Sequence, residues 1–107
     1  MNNRRLEFDY KTASCADLGH GLKRYYWMKE IQIVGNEYLD IQLAVQENQA
    51  VIGTGFSTHP LQNIYGVGTR PIYQFIMIIS LYNAEAANVE TKVLLNVWAM
   101  AIEWSER

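Results

Sequence analysis

Hydrophobic and polar positions alternate along much of this 107-residue chain with the period of two that a half-buried strand shows. From Arg5 to Lys11, the apolar set Leu6, Phe8 and Tyr10 interleaves with Arg5, Glu7, Asp9 and Lys11, which predicts a strand with one wet face. Ser14-Cys15-Ala16-Asp17 has the form of a capping box ahead of Leu18 and Leu22. It predicts a short helical turn or loop, weakened by Gly19 and Gly21. β-forming residues return at Tyr25 to Met28 and Ile31 to Val34, followed by the turn signal Gly35-Asn36. Leu39, Ile41, Leu43 and Val45 then alternate with Asp40, Gln42, Ala44 and Gln46, completing the pattern of a hairpin. A turn at Glu47-Asn48-Gln49 and a strand from Ala50 to Phe56 extend it to a three-stranded meander.

Two later segments depart from simple alternation. Ile72 to Tyr82, I-Y-Q-F-I-M-I-I-S-L-Y, is apolar on both alternating sets apart from Gln74 and Ser80, which predicts one strand covered on both faces. Behind Asn83 as an N-cap, Glu85, Asn88, Lys92, Asn96, Ala99 and Glu103 recur at three-and-four spacing as one narrow polar stripe. Val93, Leu94, Leu95, Val97, Trp98, Met100, Ala101 and Ile102 fill the rest, so a long helix from Ala84 to about Trp104, buried on more than one side, is expected. The fold these elements compose is α+β: a single domain over residues 1–107, with a mainly antiparallel sheet of about five strands and a long C-terminal helix packed on it. The strand ending Tyr82-Asn83-Ala84-Glu85 and turning straight into a helix resembles small neck and tail-terminator subunits of tailed phages. That resemblance covers the last third of the chain and implies a structural, homo-oligomeric role in a virion.

Composition supports shielding by copies or companions. Hydrophobic residues make up 50% and charged residues only 19%, below the usual quarter. Between Glu47 and Glu85 the sole formally charged side chain is Arg70, and interface cores are depleted in charge. A net charge of −2 leaves no electrostatic footprint for nucleic acid. The one basic-aromatic cluster, Lys23-Arg24-Tyr25-Tyr26-Trp27, fits a sheet edge better than a stacking platform. Cys15 stands alone, without a disulfide or cysteine metal site to join. No apolar run follows Met1 to Arg5, and the stretch at residues 71–82 is too short to cross a bilayer as a helix. A cytoplasmic or virion location, with no membrane partner and no secretory signal, is expected.

Candidate chemistry is sparse. His20 and His59 lack any spacing used for metal or acid–base pairs, so neither a metal nor a cofactor is expected. Gly53-Thr54-Gly55 and Gly66-Val67-Gly68 do not open helices, which makes them bulge or turn glycines rather than phosphate cradles. The carboxylates are scattered over solvent faces and turns. Ser57 to Arg70 reads as the one substantial loop, the kind of segment where binding residues collect. The candidate interface residues are therefore His59, Tyr65, Arg70, Trp98 and Trp104, with no catalytic residue assigned. The reading that follows is a non-catalytic subunit whose partners are itself, as a homo-oligomer, and another protein. Two alternatives stand beside it. One is an inhibitor or immunity-type protein blocking a single partner. The other is a small ligand-binding or enzymatic α+β barrel, with a pocket between sheet and helix and His59 or Tyr65 as its polar group.

Overall fold

The computed structural model describes residues 3–60 and 62–103. Its first strands are β1 (Asn3–Asp9), β2 (Ser14–Gly19), β3 (Leu22–Val34) and β4 (Tyr38–Ala44). They are followed by β5 (Gln49–His59), β6 (Ile64–Tyr73), β7 (Ile76–Asn83) and β8 (Glu90–Glu103). The strands form two four-stranded sheets, in the orders β1-β4-β7-β6 and β2-β3-β8-β5. β1 and β4 run parallel; every other neighbouring pair is antiparallel. The expectation of an α+β fold is therefore wrong. The chain is an all-β sandwich, and its only helical element among the described residues is a single 3-10 turn at Tyr10–Thr12.

The largest correction concerns the C-terminal third, where β8 occupies most of the expected helix. Lys92 and Asn96 are four residues apart, an even number, so they share a face of a strand as readily as a face of a helix. The other parity settles the matter. Thr91, Val93, Leu95, Val97, Ala99 and Ala101 are all at most 7% exposed and line the inner face of one strand. β8 pairs with β3 from Leu22↔Ile102 to Val34↔Glu90 and with β5 on its other side, so both rows of backbone groups find partners. The capping signal at Asn83 is chemically real yet starts no helix. Its Oδ1 accepts from the Glu85 N–H at 3.2 Å, while its Nδ2 donates to the Ile33 carbonyl at 3.0 Å. That second bond ties the residue into the core and turns the chain toward the other sheet. The strand-to-helix junction that carried the resemblance to phage subunits is consequently absent.

The expected two-sided strand is two strands. Gln74-Phe75 forms a tight turn that ends β6 and begins β7. The turn is held from outside: the Phe75 carbonyl accepts from the Val45 N–H at 2.9 Å and the Gln74 carbonyl from the Val51 N–H at 2.8 Å. β7 is nevertheless covered on both sides within the monomer. Ile79 and Leu81 face the core, and Ile78, on the opposite face, is also fully buried between its register neighbours Gln42 and Arg70.

Three local expectations also change. Gly35-Asn36 is a turn, with Asn36 at φ 64°, but it carries the chain from one sheet to the other instead of closing a hairpin. β5 and β6, which end at His59 and begin at Ile64, consume most of the predicted loop. Ser14 opens a strand, and the β2–β3 hairpin closes through His20-Gly21 at φ 58° and 80°, the paired left-handed conformation that a type I′ turn requires.

Between the sheets lie Tyr25, Trp27, Ile31 and Ile33 of β3, Leu39, Ile41 and Leu43 of β4, and the inner residues of β7 and β8. Each fully buried aliphatic side chain contributes roughly 1.5–3 kcal/mol. The polar atoms that enter this core are partnered. The Tyr25 hydroxyl donates to Gln49 Oε1 at 2.8 Å, and the Trp27 indole N–H donates to the Asp9 carbonyl at 2.9 Å. The molecule extends 54 × 23 × 18 Å. Among the described residues, no helix is long and apolar enough to cross a membrane.

Candidate functional site

Strand alternation leaves each sheet with an outward face, and the two faces differ in chemistry. On the second sheet, β8 turns Leu94, Asn96, Trp98, Met100 and Ile102 outward, opposite in parity to its buried residues. The Trp98 indole lies over Gly55 of β5, where a Cβ would overlap its ring. A side chain at position 55 and this placement of the tryptophan are mutually exclusive. On the other flank the Tyr26 hydroxyl donates to Asn96 Oδ1 at 2.7 Å, and Asn96 Nδ2 donates to Ser57 Oγ at 3.4 Å. This polar chain crosses β3, β8 and β5 and fixes the rings beside it. Ser14, Cys15, Ala16, Arg24, Tyr26 and Trp98 border an open groove of about 480 Å³. Met28, at 61% exposed, and Ile102, at 40%, extend the apolar surface along the sheet.

The outer face of the first sheet is built in rows by register. Tyr65, Tyr82 and Tyr38 are direct neighbours across β6, β7 and β4. The rings of Tyr38 and Tyr82 are 4.7 Å apart, and the Tyr82 hydroxyl donates to Asn36 Oδ1 at 2.6 Å. The next row is Gly68, Ser80 and Asp40. Ser80 Oγ donates to Asp40 Oδ1 at 2.7 Å, and the Arg70 guanidinium stands 3.8 Å from Asp40 Oδ2. Gly68 leaves open space where a side chain would stand, with nothing within 4 Å of a Cβ placed there. Around that gap Tyr38, Asp40, Thr69, Arg70 and Ser80 border a groove of about 570 Å³.

The residues expected to form one interface are spread over the molecule. Tyr65 and Arg70 belong to the outer face of the first sheet, whereas Trp98 belongs to the outer face of the second. His59 is exposed at the end of β5, beside Leu94 in register. Trp104 lies outside the described residues. Sequence reasoning passed over Tyr38, Asp40 and Ser80 as part of a site. They occupy wet positions on two strands 40 residues apart for the Asp40–Ser80 pair, and only the β4–β7 register joins them.

Other polar groups have structural employment. Glu37, only 8% exposed, accepts from the Val34 N–H at 3.0 Å and pairs with Arg4 at 3.1 Å, clamping the β3–β4 turn. Cys15 is exposed. Among the described residues no three His, Cys, Asp or Glu side chains gather to hold a metal ion.

Fold and faces together define a mixed β-sandwich in which one outer surface carries an apolar row on β8 and the other carries tyrosines and charges. Within that class the chain belongs to the YjdH family, whose model matches residues 4–99. No curated protein and no solved structure matches it.

Proposed function

We propose that this protein is a non-catalytic subunit that associates with a second copy of itself through the outer face of the second sheet. The observation that carries the reading is the outward row of β8. A sheet face in water alternates apolar-in with polar-out, yet Leu94, Trp98, Met100 and Ile102 turn apolar groups outward on a central strand. Beyond Lys92 this outward row is apolar at every position except Asn96, and a strand stretch apolar on both faces is the signature of a sheet covered on both faces. Met28 and Ile102 remain 61% and 40% exposed in the single chain, so that cover is incomplete without a companion. Trp98 and Tyr26 are of the residue types that anchor interfaces, and the adjoining Arg24 supplies a polar rim.

The reason for expecting assembly thus moves from a surplus of apolar segments to one particular face. The barrel-like enzymatic reading needed a pocket between sheet and helix, and that helix does not exist. Nothing specific favours an inhibitor-type role over self-association.

Mass in solution tests the proposal. Light scattering on the wild type at about 100 μM, a concentration that populates complexes with micromolar Kd, is expected to give a dimer or larger. Met28→Glu combined with Met100→Glu is expected to give a folded monomer. A monomeric wild type at that concentration, or a double variant with unchanged mass, refutes it.

A further inference from the structure

We propose that the groove on the outer face of the first sheet binds a neutral saccharide, its ring stacked on Tyr38 and its vicinal hydroxyls bonded to Asp40 and Arg70. This site is on the opposite side of the sandwich from the self-association face and does not depend on that reading.

The groove offers three things together. The first is an apolar platform with a wet edge: a pyranose presents a C–H face that packs on an aromatic ring, and Tyr38 and Tyr82 lie 4.7 Å apart on the groove's flank. The second is an adjoining donor–acceptor pair. Asp40 Oδ1 takes one hydrogen bond from Ser80, while the 3.8 Å gap from Oδ2 to Arg70 is too long for a hydrogen bond between them. Both side chains are solvent-accessible, at 30% and 53%, so the carboxylate keeps free lone pairs and the guanidinium free N–H donors. Adjacent hydroxyls, each able to donate and accept, complement such a pair. The third is room. Gly68 removes the side chain that would fill the centre, and the volume of about 570 Å³ lies within the range of small-ligand pockets.

Charge selects the class of ligand. Asp40 and Arg70 cancel, and the nearest charges in register on β1, Arg5 and Glu7, cancel as well. No net field favours a phosphate or a carboxylate, and a chain of net charge −2 offers no long-range attraction for either. A neutral ligand rich in hydroxyls suits a site that is polar but uncharged overall.

The test is amide NMR of the 107-residue chain titrated separately with maltohexaose, cellohexaose, xylohexaose, chitohexaose and inorganic phosphate, each to about 10 mM, enough to detect millimolar binding. At least one sugar is expected to shift the amides of Asp40, Gly68, Thr69, Arg70 and Ser80. Gly68→Leu, whose side chain enters the open space, is expected to weaken that binding at least tenfold with the rest of the spectrum preserved. Asp40→Asn provides a second variant, also expected to lose about tenfold, the scale of one lost hydrogen bond to a charged group. Leu18→Ser, at an exposed position on β2 of the other sheet, is expected to bind as the wild type does. The proposal is overturned if none of the four sugars shifts these amides. It is equally overturned if both groove variants bind unchanged, or if the amides answer only to inorganic phosphate.

Discussion

Replacing Gly35 by alanine should be among the most damaging single-methyl changes in this protein. Gly35 is buried at the turn between β3 and β4, and its φ is not left-handed, so the argument concerns space and not backbone preference. A Cβ there collides with the carbonyl of Ala86, in the segment that leads from β7 to β8. The same segment is bonded to the turn: the Gly35 N–H donates to the Val89 carbonyl and the Asn36 N–H to the Asn83 carbonyl, each at 2.8 Å. The methyl group therefore cannot be relieved by rotating a side chain. Either the turn or the 84–89 segment has to move, and both bonds lengthen when it does. Overpacking costs about 1–3 kcal/mol, and each loosened hydrogen bond adds about 1 kcal/mol. The expected loss is thus about 3–5 kcal/mol, which lowers the melting temperature by about 12–40 °C in a domain of this size.

Two controls isolate the cause. Gly53 has nothing within 4 Å of a built Cβ and no positive φ, so Gly53→Ala should stay within about 1 kcal/mol of wild type. Gly19 also faces open space but sits at φ +89°, so Gly19→Ala should cost an intermediate amount, about 1–2 kcal/mol, through backbone strain alone. Urea denaturation with a shared slope gives all three values. If Gly35→Ala is as stable as Gly53→Ala, the packing of the 84–89 segment against the turn is wrong, and with it the account of how the chain changes sheets.

Two further outcomes are expected. Burial holds the Tyr25 hydroxyl above its ordinary value near 10.0. The unfolded tyrosine therefore ionises first as the solution becomes alkaline. Stability from this group is full below about pH 10 and is lost above it, and Tyr25→Phe should flatten the decline in urea midpoint above about pH 10. An equally steep decline in the variant assigns the effect to other groups. Asn83→Ala strips partners from the Ile33 carbonyl, the Thr91 hydroxyl and the Glu85 N–H, and should cost about 2–4 kcal/mol by thermal melting. A cost below about 1 kcal/mol means that water reaches the site and the core is not closed there.

How much of this was legible in the residues depended on which interaction decided each element. Arg5 to Lys11 announced a strand through local alternation, and β1 lies over most of that segment, at Asn3–Asp9. Leu39 to Val45 did the same for β4. Partners were another matter. Alternation tells inner from outer but not which sheet receives a strand, so the Gly35-Asn36 turn looked like a hairpin when it was an arch between layers. The C-terminal third failed for a sharper reason. Asn88, Lys92 and Asn96 fall at intervals of four, a spacing that helical and extended geometry share, and Asn83 behaves locally as a cap whichever follows. The β-branched residues at Thr91, Val93 and Val97 were the available counter-signal, and two-sided pairing with β3 and β5 outweighed the helical stripe.

The same logic explains why neither candidate site was visible before the register was known. Inward positions of a sandwich are constrained to be apolar, so their pattern reports the fold and little else. Outward positions are free to be polar, and a departure from that freedom carries information. Along β8 the departure is apolar, at Leu94, Trp98, Met100 and Ile102, and it was misread as the buried side of a helix. Along β4 and β7 the outward set Tyr38, Asp40, Ser80 and Tyr82 looks unremarkable strand by strand. It becomes a site only when pairing brings Ser80 Oγ within 2.7 Å of Asp40 and aligns the tyrosines in a row. In a sheet protein, then, the fold is written in the residues that face inward. Its chemistry depends on outward residues whose adjacency is a property of the pairing, and on this molecule the two outer faces differ in that chemistry.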